Sequence, residues 1–211
     1  MAEKRGKFIT FEGGEGPGKS TQARMLKAAL EARGANIVLT REPGGTPAAE
    51  EVRKLLVEGS PERWTPMSET LLFLAARADH VARLIEPALA AGKWVISDRF
   101  SDSTTVYQGI ARGLGTNKVE RLSAVALGAF APDLTIVLDV EPRAGLARAG
   151  KRGAEESRFE RFDENFHLEL RRGFREIAEA EPKRCALIDG GASADAVAAA
   201  VWRIVEERLR P

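Results

Sequence analysis

Five short apolar runs recur along the chain, at residues 8–11, 37–40, 94–97, 135–138 and 185–188. Each is short, rich in Val, Ile, Leu or Phe, and lacks polar alternation, which is the pattern of strands buried on both faces of a parallel sheet. The intervening segments carry helical spacing. Residues 20–33 place Ala23, Leu26 and Leu30 on one face ahead of a closing Gly34. Residues 47–58 open on a proline, and residues 68–91 form a long amphipathic stretch in which Pro87 either kinks the helix or starts a new segment. Residues 117–130 (closed by Pro132), 142–149, 164–181 and 194–209 complete the set, the last with Val197, Val201, Ile204, Val205 and Leu209 as its stripe. Strand and helix alternate throughout, predicting an α/β fold: a three-layer, doubly wound, five-stranded parallel sheet in a single domain spanning 1–211.

The first strand runs straight into glycines. Gly13, Gly14, Glu15, Gly16, Pro17, Gly18, Lys19, Ser20 and Thr21 contain the pattern G-x-x-x-x-G-K-[ST] over 13–20, with a strand before and a helix after. Glycines let backbone N–H groups turn toward a phosphate, and the helix start adds its own unpaired N–H groups. Lys19 reaches β- and γ-phosphates, and the Ser20 hydroxyl suits Mg²⁺. The alternative is a glycine-rich strand-to-helix turn with no ligand. The third strand ends in Asp98 and Arg99, and an acid at a strand C-terminus downstream of a phosphate loop is placed to hold Mg²⁺ through water.

Composition narrows the partners. Among 211 residues, 32 Lys and Arg nearly cancel 31 Asp and Glu, so no global basic field points to nucleic acid. Cys185 is the only cysteine, and with His80 and His167 it makes no zinc constellation. No apolar run approaches membrane-spanning length, so the expectation is a reduced, cytoplasmic protein without a membrane contact. Phe73 and Arg77 lie four apart on one helix face; spacing alone favours a core aromatic and a solvated charge over a clamp for a flat ring. Residues 148–161 hold Arg148, Lys151, Arg152, Arg158 and Arg161 around two glycines with almost nothing apolar. This segment reads equally as a solvated loop unable to bury itself or as a mobile basic flap closing over phosphates.

The motifs EGGEGPGKST at 12–21, TREPGGT at 40–46, Phe73 with AAR at 75–77, SDRFSDST at 97–104, YQG at 107–109 and PDLTIVLDV at 132–140 together resemble the bacterial thymidylate kinases. A guanine-specific switch is set aside, because residues 117–120 read NKVE and start a helix. The resemblance implies a homodimeric, cytoplasmic enzyme that transfers the ATP γ-phosphoryl group to dTMP with Mg²⁺. It implies that Phe73 stacks on the base, that Arg77 bonds to it, and that Thr104 meets its edge. Tyr107 lies against the sugar, and Pro43 and Gln108 line the same acceptor site. Asp98 and Arg99 serve metal and phosphates, and Glu15 serves the acceptor. Gly16 stands where one branch of the family has an arginine, so the missing cation is expected from the lid at about 148–161: Arg152 first, with Arg148 and Arg158 beside it at the phosphates. Phe100 and Thr104 depart from the residues common in relatives. A deoxynucleoside kinase and a nucleotide-dependent interaction module are the rival readings.

Overall fold

The computed structural model describes residues 5–150 and 158–211. Strands β1 (Phe8–Glu12), β2 (Ile37–Arg41), β3 (Trp94–Asp98), β4 (Leu134–Asp139) and β5 (Cys185–Asp189) form one sheet in the order β2-β3-β1-β4-β5. Every neighbouring pair is parallel, as the unbroken apolar runs predict. β1 is central because every residue of FITFE is buried. Its register sets Phe11 beside Asp98 of β3 and Ile136 of β4. The chain leaves β1 toward one edge and later returns to its other side, so the switch in strand order opens a crevice at the carboxyl end of β1. All five strands end there in a charged residue: Glu12, Arg41, Asp98, Asp139 and Asp189.

Side chains alternate between two cores. Ile9, Phe11, Ile96, Ile136 and Leu138 pack with Ala23, Leu26 and Leu30 of α1 (Lys19–Glu31), and Val197, Val201 and Val205 of the final helix complete that layer. On the opposite face Phe8 and Val95 meet Val81, Ile85, Leu89 and Phe100, while Val137 and Cys185 meet Val106, Tyr107, Leu170 and Phe174. Cys185 is buried, and burial pushes its thiol up to about 12, so it behaves as a small apolar residue.

The helices follow their sequence signals at most ends. α2 (Pro47–Val57) begins on Thr46, whose hydroxyl accepts from the Ala49 amide at 3.3 Å. The stretch expected as one helix over 68–91 is instead three pieces: α3 (Pro66–His80), a π-helical turn Val81–Ile85, and α4 (Glu86–Ala90). Pro87 lies in the first turn of α4, where its missing N–H costs least. The hydroxyl-rich run after β3 is helical too, as α5 (Ser101–Thr104) continuing into a π-helical turn Thr105–Ala111. Poor intrinsic propensity hid it, and burial of Val106 and Tyr107 stabilises it. α6 (Thr116–Leu127) stops at Gly128, whose φ of 61° ends the turn before Pro132. α7 (Pro142–Ala149), α8 (Glu164–Ala180) and α9 (Ala194–Leu209) each start on a side-chain cap, from Glu141, Asp163 and Ser193.

Phe11 has no exposure and sits between β1, α1 and α9. Phe11→Ala is expected to cost about 3–5 kcal/mol in a urea titration with the slope unchanged, as a cavity in a close-packed core requires.

Candidate active site

The glycine loop leaves β1 through backbone conformations that need glycine. Gly13 and Gly16 have φ of 132° and 69°. A Cβ on Gly16 would lie 1.9 Å from the carbonyl oxygen of Gly145, and one on Gly145 would lie 2.3 Å from that of Glu15. Loop and α7 therefore touch backbone to backbone. The loop closes into α1, where the Lys19 and Ser20 amides precede the first intrahelical bond. Thr21 is exposed in that first turn, and Pro17 is buried behind the loop with its ring against Gly13.

Two cations are drawn onto this loop. Lys19 Nζ donates to Gly14 O at 2.6 Å and to Gly13 O at 3.3 Å. Arg99 donates to Gly13 O at 2.8 Å, to Gly14 O at 3.2 Å and to Ser103 Oγ at 3.1 Å. Burial, with Arg99 close by, brings Lys19 down to about 8. Arg99 has φ of 72°, a left-handed conformation unusual for a non-glycine residue. Its amide is held by Phe11 O at 2.9 Å, and its carbonyl accepts from Ser97 Oγ at 2.8 Å. Glu15 Oε1 accepts from Arg99 at 3.0 Å and from the Tyr107 hydroxyl at 2.6 Å. Burial opposes the Glu15 charge, but Arg99, Lys19 and that hydroxyl overcome it and hold its pKa near 2. Ser20 Oγ donates to Asp98 Oδ2, so a hydroxyl and a carboxylate meet at the loop, both lining a groove beside Arg24 and Arg41. Among the described residues no three His, Cys, Asp or Glu cluster as metal ligands.

A second cavity adjoins the loop. Glu15, Pro43, Phe73, Arg77, Arg99, Thr104, Tyr107 and Gln108, the residues expected at the acceptor, all line this one cleft. Arg77 is 2% exposed, so it is not the solvated charge that spacing alone favours. Nε donates to Glu42 at 2.6 Å, Nη1 to Thr104 Oγ1 at 2.9 Å and Nη2 to Phe100 O at 3.0 Å. Of five guanidinium N–H donors, this leaves others for a ligand. Phe73 is half-buried on the cleft wall. Gln108 donates to Glu69 Oε1 at 2.9 Å, and the carbonyl of Pro43 accepts from Arg53 at 2.7 Å.

Several residues were missed from sequence. Glu42 is shared between Arg77 and His80, whose Nδ1 lies 2.9 Å from Glu42 Oε1 and whose Nε2 lies 2.8 Å from Thr40 Oγ1. Glu12, at the end of β1, accepts from the Phe100 amide at 2.8 Å and the Ser103 hydroxyl at 2.6 Å, capping α5 from another strand. Burial, with Asp102 nearby, raises Glu12 to about 7. Phe159, Glu160, Val57 and Arg53 also line the cleft. The one available signal was the charge pair Arg41-Glu42 at a strand end; the others are joined only by folding.

Of the three lid arginines, Arg148 donates to Gly190 O at 3.0 Å and Gly191 O at 3.5 Å, in the loop after β5. Arg152 lies outside the described residues. Arg158 is fully buried, against the expectation that this segment cannot bury itself, because its charge is met by Glu69 at 2.5 Å and its other donors by carbonyls near residues 56–61. Among the described residues, none of its hydrogen bonds goes to the glycine loop of residues 13–20.

The sequence model of the thymidylate kinase family matches residues 11–201 of this chain. The thymidylate kinase of Ruegeria pomeroyi is 52% identical over 204 residues, covering 97% of this chain and 96% of that protein. That of Caulobacter vibrioides is 49% identical, covering 97% and 98%. The crystal structure of thymidylate kinase from Ehrlichia chaffeensis superposes with a TM-score of 0.77 at 35% identity, covering 95% of this chain and 99% of that one.

Gly16→Ala tests the contact between loop and α7. It is expected to lower stability by about 1–3 kcal/mol and to weaken nucleotide binding, read by thermal melts with and without ATP.

Proposed function

The chain belongs to the thymidylate kinase family and phosphorylates dTMP to dTDP with ATP as donor, and from this premise we propose how its residues divide that work. The observation that carries the division is the shared position of Arg99 and Glu15, which join the phosphate loop to the acceptor cleft. ATP phosphates lie on the loop of residues 13–20 with Lys19 as point charge and Thr21 behind it; Arg148 stands on the donor side, by the loop after β5. The acceptor base lies against Phe73 with Arg77 and Thr104 at its edge, and the sugar lies against Tyr107. Pro43 and Gln108 form the rest of that wall.

A 5′-monophosphate has a second pKa near ~6 and is largely dianionic at neutral pH, so no general base has to remove a proton from it. The task left to the protein is to bring two anions into line and screen their repulsion. Lys19 and Arg99 supply fixed cations, already held by the Gly13 and Gly14 carbonyls. Glu15 stays ionised and keeps Arg99 and Tyr107 in place. Ser20 and Asp98 offer hard oxygen donors of the kind Mg²⁺ takes together with phosphate oxygens and water. Bound there, Mg²⁺ would neutralise charge on the β- and γ-phosphates. Arg152 is proposed as the cation that meets the transferring group, since Gly16 leaves the loop itself without an arginine side chain.

No helix among the described residues is long and apolar enough to cross a membrane, and we take the protein to act in the cytoplasm as a single kinase domain. We also propose that two copies pair through α3 and α6, where Leu71 and Val125 are 50% and 88% exposed. Sedimentation at micromolar concentration should give twice the chain mass, and a monomer mass would refute the pairing.

A coupled ADP-release assay across dTMP, dUMP, thymidine and no acceptor tests the reaction. Release is expected with dTMP well above dUMP, whereas release with thymidine would indicate a nucleoside kinase. Acceptor-independent release would indicate a nucleotide-driven interaction module. In the same assay Lys19→Ala should lower turnover by two orders of magnitude or more, and Arg152→Ala should lower kcat far more than it raises the dTMP KM.

A further inference from the structure

Arg158 lies within residues 148–161, a stretch with almost nothing apolar that reads equally as a solvated loop or a mobile basic flap, yet it is fully buried. Nε donates to Ser60 O at 2.9 Å, Nη1 to Leu56 O at 3.1 Å and Nη2 to Pro61 O at 2.6 Å. Glu69, equally buried, lies 2.5 Å from Nη1. That carboxylate also accepts from Gln108 of the acceptor cleft and lies 3.4 Å from Arg112 Nε. A planar fork with several donors suits such a seat of carbonyls around one acid, and a lysine ammonium does not. Burying the charge is tolerable only while all of these partners are present.

The next residue in the chain enters the cleft. Phe159 and Glu160 line it. The Phe159 ring lies 6.1 Å from Phe73 and stands edge-on to Tyr107 at 5.5 Å, with the Arg158 guanidinium 4.9 Å from its centroid. Phe73, Tyr107 and Phe159 thus make a continuous aromatic wall, two members from the helices and one from the lid end.

We propose that Arg158 is a positioning residue for the acceptor: seated in the carbonyls of residues 56–61 and on Glu69, it holds Phe159 beside Phe73 and Tyr107, and Phe159 sets affinity for dTMP. This assignment rests on the thymidylate kinase reading of the cleft and moves Arg158 from the donor phosphates to the acceptor side. The carbonyls of the seat come from the last turn of α2 and the turn after it, and α2 also contributes Arg53 and Val57 to the cleft. A shift of Arg158 therefore loosens two walls together.

Titration calorimetry with dTMP, and separately with a non-hydrolysable ATP analogue and Mg²⁺, tests this on the wild-type chain, Phe159→Leu and Arg158→Lys. Phe159→Leu is expected to weaken dTMP binding about fivefold, the scale of a lost aromatic contact, with the ATP analogue bound as in wild type. Arg158→Lys should weaken dTMP by at least as much, again sparing the analogue, and in turnover the rise in dTMP KM should exceed any fall in kcat. Unchanged dTMP affinity in Phe159→Leu overturns the proposal. So does loss of ATP-analogue binding, or a hundredfold fall in kcat with dTMP affinity intact, in Arg158→Lys, since either marks a phosphate-binding cation. If Arg158→Lys melts far below wild type, Phe159→Leu alone decides. Failure of the wild-type chain to bind dTMP while binding the analogue would sink the kinase reading itself, an outcome separate from either variant result.

Discussion

The site depends on one guanidinium. Arg99 leaves β3 in a left-handed conformation and donates to Gly13, Gly14, Glu15 and Ser103. It therefore ties the glycine loop to the helix that carries Thr104, Tyr107 and Gln108. Backbone strain of this kind persists only where surrounding structure over-determines it, and here the Arg99 amide and carbonyl are both bonded. With Lys19 it concentrates positive charge at the crevice in a chain whose formal net charge is only +1, so the positive charge there comes from local grouping and not from the chain as a whole.

The buried acids answer those cations and set their directions. Glu15 takes Arg99 and Tyr107, Glu42 takes Arg77 and His80, and Glu12 takes the Phe100 amide just before α5 together with Ser103. Each carboxylate joins two elements remote in sequence. A buried charge is costly unless several partners satisfy it, so these arrangements constrain where β1, α3 and α5 stand relative to one another. The consequence is a cleft whose polar groups are already oriented by the fold, the kind of preorganisation that lowers the cost of binding a ligand.

Much of this was legible along the chain. Five apolar runs gave five parallel strands, and the glycine, lysine and serine spacing marked the loop that joins β1 to α1. Local signals sufficed because both features are made of neighbours in sequence. The hydroxyl-rich run after β3 was not legible as helix, since its residues favour turns and only packing of Val106 and Tyr107 overrides that preference. Arg77 read as a solvated charge by spacing alone, and Arg158 as part of a segment unable to bury itself. Both are buried because an acid meets each charge, and neither acid is a sequence neighbour: Glu42 lies 35 positions from Arg77 and Glu69 still farther from Arg158.

By itself the sequence determined the strand and helix alternation, the glycine loop between β1 and α1 and the membership of the family. These are short-range properties, written in periodicity and in residues a few positions apart. Only the tertiary structure decided which acid meets which arginine, that Gly16 faces Gly145 across a gap too narrow for a Cβ, and that Phe159 joins Phe73 and Tyr107. Such pairings depend on how the sheet order brings distant strand ends to one edge, and the charge of a residue does not state its partner. Desolvation acts only once that partner is in place, so the positions and pKa values of Glu12, Glu15 and Lys19 belong to the fold and not to the chain.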